Sequence, residues 1–392
     1  MRAAGLRRRR LPLVAAIVFG VFALIVSSVA ATWIWRAGLS DGSTALLRLA
    51  RHGTSSVDDL KHFPARELAP SRTPAPFAER TSRAEPPVVA IDRGRTALSQ
   101  FLASSDTLAL LVIRDGAIVF EHYAAGHDAA TPSQYFSVTK SILATLLGMA
   151  IDDGHVRSLD QPVTDFVPEL SERGFGAVTL RQLADMTSDL DYVENDNPFG
   201  VHPLAYYTPD VQRLVLQFRR RSEIGRGFEY KSGDTALLSL ALQRALGGET
   251  LTAYAQRRLW SPLGMEHGAV WSLDRDGGFE KAWCCIAGTA RDLAKLGRLY
   301  LARGRHGGQQ LLPERWIESA SAQPAAGVPR AYSFGWWPAS ARGTDFMAAG
   351  KDGQFLYIAP AHDAIVVRLG RSTDLGRSQW VRVFDTLAAH AW

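Results

Sequence analysis

A serine and a lysine one helical turn apart, at the start of a strongly apolar segment, constrain this chain more than any other feature. Ser137 and Lys140 precede residues 141–150, where apolar side chains recur at helical spacing. The pattern predicts a buried helix that begins near Ser137, with both side chains on one face. A serine at a helix N-terminus has free backbone N–H groups beside it, and a desolvated lysine can lose its charge and accept the serine's proton. We therefore predict a nucleophile and its base.

Chance is a weak explanation of this pair. A serine three residues before a lysine is not rare in a chain of 392 residues, so the spacing alone indicates little. The chain has only six lysines, however, and Lys140 is the only one with a serine at this distance before it. Its place at the head of an apolar helix is a second, independent observation. We therefore favour a catalytic pair over a helix that merely begins with Ser137.

Length and charge limit the classes of function. A chain of 392 residues can hold a two-lobed enzyme and an appended segment. The net charge of +5 equals the charge of the five arginines within residues 2–10, and no later basic run is interleaved with aromatic residues. We therefore expect no nucleic-acid partner.

The two cysteines of the chain, Cys284 and Cys285, are adjacent. Adjacent cysteines cannot join distant parts of a fold, and no Cys or His spacing in the chain is typical of a metal site. Buried free thiols are the expected state, with a vicinal disulfide as the less favoured alternative. We expect neither a metal nor a cofactor.

The N-terminus combines a basic and an apolar segment. Five arginines lie within residues 1–10, and residues 11–35 follow without a charge, long enough to span a bilayer. Small residues at 28–30 also fit a cleavage site, so a cleaved signal peptide with secretion is the second choice. We favour a transmembrane anchor, because the apolar run continues to two tryptophans that suit the membrane interface. The arginines would stay in the cytoplasm, and the remainder would lie on the periplasmic (extracytoplasmic) side of the inner membrane.

Residues 36–87 are expected to form a tether, because six prolines interrupt them, and a folded domain is expected over residues 88–392. Hydrophobic periodicity predicts helices in this domain at 91–104, 137–152, 180–186, 209–219, 234–246, 251–259, 290–302 and 378–389. It predicts strands at 108–113, 117–123, 333–337, 346–349, 354–359 and 365–370.

Strands thus come at both ends of the domain, and helices come between them. This order implies one mainly antiparallel sheet with flanking helices, and a mostly helical lobe inserted between its strands. The predicted fold class is therefore α/β in the α+β sense, with a transmembrane helix at the N-terminus.

Two further stretches can complete a site around Ser137. Tyr230 lies in a loop before the helix predicted near Asp234, and Gln354 begins a strand after the glycine-rich run 350–353. An acylating serine needs a base, an acid for the leaving group and an oxyanion hole. Tyr230 can serve as base and acid if nearby lysines hold it as a phenolate, and the N–H of Gln354 can face that of Ser137. Singly, a core tyrosine and an ordinary turn are the simpler interpretations.

The chain therefore carries three short motifs in order, namely Ser137-x-x-Lys140, Tyr230-x-Ser232 and Lys351-Asp352-Gly353. They resemble S-x-x-K, Y-x-N and K-T-G, the signature of serine hydrolases of the β-lactamase and penicillin-binding protein superfamily. The resemblance is strongest to the class C-like branch and, within it, to the 6-aminohexanoate-dimer hydrolase (nylon-oligomer hydrolase) group. It spans about residues 88–392 and implies a β-lactamase/transpeptidase-like fold. Supporting stretches occur in family order at 136–141, 160–163, 167–170, 186–188, 262–266, 290–293 and 334–337.

The resemblance also implies roles for individual residues. Ser137 is then the acylated nucleophile, Lys140 activates it, and Tyr230 carries protons between nucleophile, leaving group and water. The backbone N–H groups of Ser137 and Gln354 form the oxyanion hole. One tyrosine resembles a residue that covers the bound amide in nylon-oligomer hydrolases, although an aromatic residue there can also simply pack. The implied substrate-binding residues are this tyrosine, Tyr192, together with Ser232, Lys351, Asp352 and Gly353.

Two positions depart from the family pattern. Ser232 stands where many relatives have asparagine, which weakens or replaces one contact to the substrate amide. Asp352 stands at the threonine position of K-T-G, where its carboxylate should repel an anionic substrate and pair with a cationic group or with Lys351. Turnover of typical penicillins and cephalosporins is therefore not expected.

The predicted function is that of a membrane-anchored serine hydrolase that cleaves a small linear amide or ester through an acyl-enzyme on Ser137. One alternative is a peptidoglycan D,D-peptidase or β-lactamase-like enzyme, and another is a non-catalytic module that binds peptidoglycan or β-lactams. Retention of Ser137, Lys140 and Tyr230 argues against a module without activity. A Ser-His-Asp hydrolase is not supported, because the ten histidines of the chain show no spacing that suggests a triad.

Overall fold

The computed structural model describes residues 10–37, 39–80, 84–92, 94–197, 199–221, 225, 227–322, 332–339 and 344–392. Its helices are α1 (Arg10–Ala37), α2 (Leu39–His52), α3 (Leu98–Ser104), α4 (Thr139–Asp152), α5 (Leu180–Ala184), α6 (Val201–Tyr207), α7 (Val211–Val215), α8 (Ser232–Ala245), α9 (Leu251–Ala255), α10 (Ala290–Leu301), α11 (Glu314–Ser321) and α12 (Arg377–Ala389). Its strands are β1 (Ala65–Leu68), β2 (Ala78–Glu79), β3 (Val88–Ile91), β4 (Gly94–Ala97), β5 (Thr107–Arg114), β6 (Ala117–Tyr123), β7 (Ser133–Gln134), β8 (Ala269–Ser272), β9 (Ile286–Gly288), β10 (Arg305–His306), β11 (Gln309–Gln310), β12 (Trp337–Pro338), β13 (Phe346–Gly350), β14 (Gln354–Ala359) and β15 (Ala364–Gly370).

Seven of the described strands form the central sheet, in the order β12-β13-β14-β15-β5-β6-β2. Its neighbours are antiparallel, except that β2 and β6 run parallel, so the sheet is mixed. Helix α10 packs on one face, and α3 and α12 pack on the other. Strands β5 and β15 are therefore buried on both faces, which explains their mostly apolar sequences. The predicted sheet with flanking helices is confirmed.

Helix α4 is the centre of the main hydrophobic core. Its side chains are buried from Thr139 to Ala150, so it is enclosed on all sides rather than on one stripe. It contacts α8 in the helical lobe, and the same core continues to one face of the central sheet. A small sheet of order β1-β8-β9-β7 ends at the strand just before α4. This arrangement places the start of α4 where the two lobes meet.

Most predicted elements are present, and their differences have local causes. Residues 91–104 are not one helix, because 88–97 form the hairpin β3–β4 and only Leu98–Ser104 is helical. The helix predicted at 209–219 is limited to Val211–Val215, and the strand predicted at 333–337 is mostly a turn before the short strand β12. In each case a short apolar run fitted more than one element type, and contacts distant in sequence decide between them.

Helix α1 contains an apolar window, Ala15–Thr32, with mean hydropathy 2.3, and none of that window is buried. Its length and composition fit a membrane span, and a signal sequence would meet the same criteria. Residues 1–9 of the predicted basic segment lie outside the described residues.

The segment predicted to be a tether differs from that expectation. Over residues 39–79 it contains α2, a 3₁₀ turn at Val57–Lys61, β1 and β2. Ala45, Phe63 and Leu68 are buried in the main core, and β1 pairs with β8. The prolines limit the length of each element but do not prevent packing, because β1 is short and lies between two of them.

Candidate active site

Ser137 lies at the turn that leads into α4. Residues Phe136–Val138 form a 3₁₀ turn, and α4 continues from Thr139. Phe136 has φ 46°, a left-handed conformation that is costly for a residue with a bulky side chain. The buried hydroxyl of Tyr135 donates to the Thr289 carbonyl, 2.7 Å away, and holds this turn. The nucleophile candidate is thus presented on a strained but well-supported turn.

Lys140 is in contact with Ser137, as the spacing predicts. Its Nζ lies 2.8 Å from Ser137 Oγ and donates to the Trp283 carbonyl at 2.7 Å. The side chain is 2% exposed. Desolvation lowers the pKa of Lys140 to about 8, and the nearby charge of Glu194 opposes this shift. A lysine with such a pKa is neutral in a substantial fraction of molecules near neutral pH, so it can accept the Ser137 proton.

Tyr230 completes the group. Its hydroxyl is hydrogen-bonded to Ser137, and Lys140 Nζ lies 5.2 Å from the centre of its ring. The ring stacks on Trp337 with 5.3 Å between centroids. Desolvation, and secondarily the charge of Glu194, raise the pKa of Tyr230. This shift favours the protonated tyrosine over the phenolate considered from the sequence, and it makes Lys140 the stronger candidate base.

The strand pair β13–β14 lies against the nucleophile turn. Gly350 is the point of closest approach, because a Cβ there would lie 2.5 Å from the Tyr135 carbonyl oxygen and 3.1 Å from Ser137 N. Only glycine allows this contact. The register pairs Gly350 with Gln354, so the start of β14 is adjacent to Ser137.

Gln354 is buried and fixed by its own hydrogen bonds. Its side-chain amide donates to the Gly370 carbonyl at 2.6 Å and accepts from Gly370 N at 3.1 Å, which joins β14 to the end of β15. Its backbone N–H donates to the Lys351 carbonyl within the 351–353 turn. An oxyanion role for this N–H therefore requires that the Lys351 bond be shared or released when substrate binds.

Arg368, on β15, is hydrogen-bonded to the 351–353 turn. The sequence analysis did not identify it as a site residue. Its buried guanidinium donates to the carbonyls of Asp352 and Gly353, at 3.2 and 2.7 Å, and to Ser105 O at 2.5 Å. It also lies 4.2 Å from the centre of the Trp380 ring. The available signal was an arginine within the otherwise apolar strand predicted at 365–370, since a buried charge requires partners.

Ser232 and Tyr192 belong to one hydrogen-bonded network around Glu194. The backbone N and the Oγ of Ser232 each donate to Glu194 at 2.7 Å. His202 Nδ1 lies 3.4 Å from Glu194 and 3.0 Å from the hydroxyl of Tyr192. Tyr192 is buried, and its ring packs on Phe218. Tyr192 therefore holds His202 in position by a hydrogen bond, which favours the packing interpretation of this tyrosine.

The side chains of Lys351 and Asp352 lie in different environments. Lys351 Nζ donates to Ser55 Oγ at 2.9 Å and lies 3.8 Å from Asp196. Asp352 has φ 60° and is half-buried. Desolvation raises the pKa of Asp352, and the charge of Lys351 opposes the shift. The ion partner of Lys351 is thus Asp196, from a loop that sequence reasoning did not include.

Ser137 lies between two halves of one cleft. The first half, which we call the acidic half, has an empty volume of about 680 Å³. Its lining includes Glu194, Asp196, His202 and Lys351. The second half, of about 700 Å³, is lined by Ser137, Tyr230, Trp337, Asp352, Gly353 and Arg377, among others. A linear substrate can therefore extend to both sides of the nucleophile.

Cys284 and Cys285 are joined in a vicinal disulfide, so the expectation of free thiols is wrong. Both are buried, and Cys284 lines the acidic half beside Trp283. The pair lies in a turn between β8 and β9. In an irregular segment two adjacent side chains can turn towards each other, which the sequence does not show.

The Beta-lactamase family model matches residues 95–385. The chain belongs to the beta-lactamase family. This confirms the predicted resemblance, and together with the geometry of Ser137 and Lys140 it identifies the beta-lactamase-family protein described here as a serine hydrolase.

Two kinds of relative agree with this assignment. The chain is 28% identical over 367 residues to a 6-aminohexanoate-dimer hydrolase of Paenarthrobacter ureafaciens, covering 84% of this chain and 92% of the relative. Among solved structures, it is similar to a 6-aminohexanoate-dimer hydrolase candidate from Bacillus anthracis, with TM-score 0.75, 23% identity and coverage of 87% and 93%. A class C beta-lactamase from Rhodobacter sphaeroides matches with TM-score 0.56, 19% identity and coverage of 74% and 97%. These structural matches show the fold, and they confirm the predicted β-lactamase/transpeptidase-like class.

Proposed function

We propose that this hydrolase is membrane-anchored and cleaves a small linear amide or ester through an acyl-enzyme on Ser137. The observation that carries the proposal is the 2.8 Å contact between Ser137 Oγ and a buried Lys140 whose pKa is lowered to about 8. The anchor rests on α1, whose apolar window is long enough to cross a bilayer.

In acylation, Ser137 Oγ attacks the substrate carbonyl carbon while Lys140 accepts the hydroxyl proton. The carbonyl oxygen becomes an oxyanion beside the N–H groups of Ser137 and Gln354. The carbon–leaving-group bond then breaks, and the leaving amine or alcohol takes a proton. Tyr230, protonated and bonded to Ser137, is placed to donate that proton and to recover one from Lys140.

In deacylation, a water molecule attacks the acyl carbon of the ester on Ser137. The water gives up its proton to the Tyr230–Lys140 pair, and Ser137 Oγ recovers a proton as it leaves. The products are the free acid, the amine or alcohol, and the resting enzyme, so no external oxidant or reductant is needed.

The charges of the cleft favour neutral or amine-bearing substrates. In the acidic half, Glu194 and Asp196 outnumber the one clearly cationic group, Lys351, and desolvation lowers the pKa of His202 so that it is mainly neutral. Lys351 is already bonded to Ser55, so it is less available to bind a substrate carboxylate. The relative from Paenarthrobacter ureafaciens is named a 6-aminohexanoate-dimer hydrolase, which supports a small amide as the substrate.

A D,D-peptidase or β-lactamase-like activity is the second candidate. Lys351 and Gly353 retain the outer positions of K-T-G, which supports it. The engagement of Lys351 by Ser55 and Asp196 makes it the less favoured one.

Labelling with a fluorophosphonate probe tests the proposal directly. Wild-type protein should be labelled and should hydrolyse 4-nitrophenyl esters or linear amides, whereas Ser137→Ala should do neither and should melt at the wild-type temperature. Lys140→Ala should lose about 10²–10⁴-fold in rate, as expected for removal of a general base. Ser99→Ala, at an exposed serine of α3, is the matched control and should be labelled normally. Full labelling of Ser137→Ala would exclude this nucleophile, and efficient cephalosporin turnover by the wild type would favour the second candidate.

A further inference from the structure

The segment that follows α1 reaches the active site. Ser55 lies three residues after the end of α2 and lines the acidic half of the cleft together with Ser137 and Glu194. Its hydroxyl accepts a hydrogen bond from Lys351 Nζ at 2.9 Å. Ser55 lies before residue 95, where the matched family region begins.

The segment is held firmly at this position. The hydroxyl of Tyr207 donates to the Gly53 carbonyl at 2.5 Å, and the hydroxyl of Tyr206 donates to Asp59 at 2.7 Å. Arg48 donates to the carbonyls of Tyr207 and Asp274, at 3.1 and 2.8 Å. These bonds fix residues 48–59 to the helical lobe on both sides of Ser55.

A local motif sets the backbone immediately after Ser55. Ser56 caps the 3₁₀ turn at Val57–Lys61, and Asp59 bonds back to Ser56 N at 3.1 Å. This reciprocal capping box defines where the turn begins. The direction of the Ser55 side chain is therefore determined by the structure on either side of it.

A second cavity lies behind Ser55. It has an empty volume of about 360 Å³ and shares Ser55, Asp196, His202 and Tyr206 with the acidic half. Its remaining lining is mostly apolar, and consists of Leu49, Thr54, Pro203 and Tyr207. The shared residues thus lie between the acidic half and this small, mostly apolar recess.

Resting on the proposed function, we propose that Ser55 is a specificity-determining residue that limits the length of the substrate chain in the acidic half. The small Ser55 side chain, bonded to Lys351, limits the acidic half on the side of the recess. A larger side chain at this position shortens the acidic half, and removal of the Ser55 hydroxymethyl group lengthens it towards the recess. Substrates with short chains do not reach Ser55 and are unaffected.

Chain-length profiles of the full-length enzyme test this inference. Two series are used: 4-nitrophenyl esters from acetate to decanoate, and N-alkyl amides of one fixed acid from methyl to octyl. Only the series whose variable chain occupies the acidic half should respond. In that series, Ser55→Trp should lower kcat/KM for the longest members by about tenfold or more relative to the shortest, because a hydrophobic pocket discriminates roughly tenfold or more per methylene. Ser55→Gly should shift the preference of the same series towards longer chains.

The controls separate this inference from the proposed function. Ser99→Trp makes the same exchange at an exposed serine of α3 and should keep the wild-type profile. Fluorophosphonate labelling of Ser137 should be retained in every Ser55 variant, which checks that the site is intact. A wild-type enzyme that hydrolyses neither series contradicts the proposed function. Hydrolysis by the wild type, with unchanged profiles in both Ser55 variants or an equal loss for all lengths, overturns the role of Ser55 alone.

Discussion

Glu194 is the charged residue that shifts the pKa values of the groups around Ser137. It accepts two hydrogen bonds from Ser232, and its charge raises the pKa of both Lys140 and Tyr230. The desolvation of Lys140 lowers its pKa more than the charge of Glu194 raises it, so the pKa of this lysine is about 8. Because only neutral Lys140 can accept the Ser137 proton, kcat/KM should rise with pH through about 8.

Glu194→Gln should move this rise to lower pH. The amide keeps an oxygen for Ser232 but removes the charge that stabilises protonated Lys140, so the pKa of Lys140 falls. The pH profile of kcat/KM for a neutral ester measures the shift. Glu249→Gln changes a carboxylate paired with Arg257 away from the cleft and should leave the profile in place. An unchanged profile in Glu194→Gln, or a shift to higher pH, would contradict this account.

Asp352 controls charge in the second half of the cleft. It lines this half together with Arg377 and occupies the threonine position of the family motif. Asp352→Thr removes a half-buried carboxylate near Ser137, so kcat/KM for a carboxylate-bearing ester should rise by about tenfold relative to a neutral ester of equal length. Asp276→Thr, at an exposed position, is the control. The same ratio in wild type and Asp352→Thr would show that Asp352 does not select substrates by charge.

At the scale of elements, the turn between β13 and β14 depends on a buried arginine from a third strand. Arg368 on β15 bonds to the carbonyls of Asp352 and Gly353, and Gln354 bonds to Gly370 at the end of the same strand. Gly353 has φ 78°, and a Cβ there would lie 1.9 Å from the Arg368 guanidinium. The turn beside Ser137 is thus positioned by β15 rather than by its own sequence.

Arg368→Met should weaken both the fold and the turn. It leaves several buried carbonyls without a donor, at a cost of about 3 kcal/mol or more in the free energy of unfolding. Urea unfolding measures this loss, and kcat should fall more than KM changes, because the proposed oxyanion N–H of Gln354 follows directly on this turn. Arg371→Met, at an exposed arginine paired with Asp58, should change neither quantity appreciably. A destabilised Arg368→Met enzyme with wild-type kcat, assayed where it is folded, would limit Arg368 to a structural role.

The elements around the nucleophile could be predicted because their signals are local. The apolar repeat after Lys140 specifies α4, and the continuous apolar run from Phe355 specifies β14. Strand β1 and Ser55 could not be predicted in this way, because β1 is defined by its pairing with β8 and Ser55 by its contact with Lys351. Arg368 gave a signal, a charge in an apolar strand, but its partners are known only from the fold.

At the scale of the whole molecule, the boundary between the proposed anchor and the hydrolase lies earlier than the prolines suggest. Helix α2 packs on α6, and β1 extends the small sheet beside the nucleophile turn. Nζ of the buried Lys281 lies 3.1 Å from the centre of the Phe63 ring. The segment therefore contributes to the core and to the cleft. We propose that the folded unit begins near Leu39 and that only the chain before it serves as anchor.

Two truncations distinguish this boundary from one near residue 88. Removal of residues 1–37 should release a soluble protein that retains hydrolysis, since the described contacts of the hydrolase with α1 are few beyond the junction with α2. Removal of residues 1–87 deletes β1 and the buried side chains of Ala45, Phe63 and Leu68, and exposes the surfaces they cover. Two large apolar side chains of this kind contribute roughly 3–6 kcal/mol by burial alone, which is a large share of the roughly 5–15 kcal/mol by which an ordinary domain is stable. The longer truncation should therefore be insoluble or should melt far below the shorter one, as measured by thermal unfolding and by ester hydrolysis of the soluble fraction. Equal melting temperatures and equal activity on short esters would place the boundary near residue 88 after all.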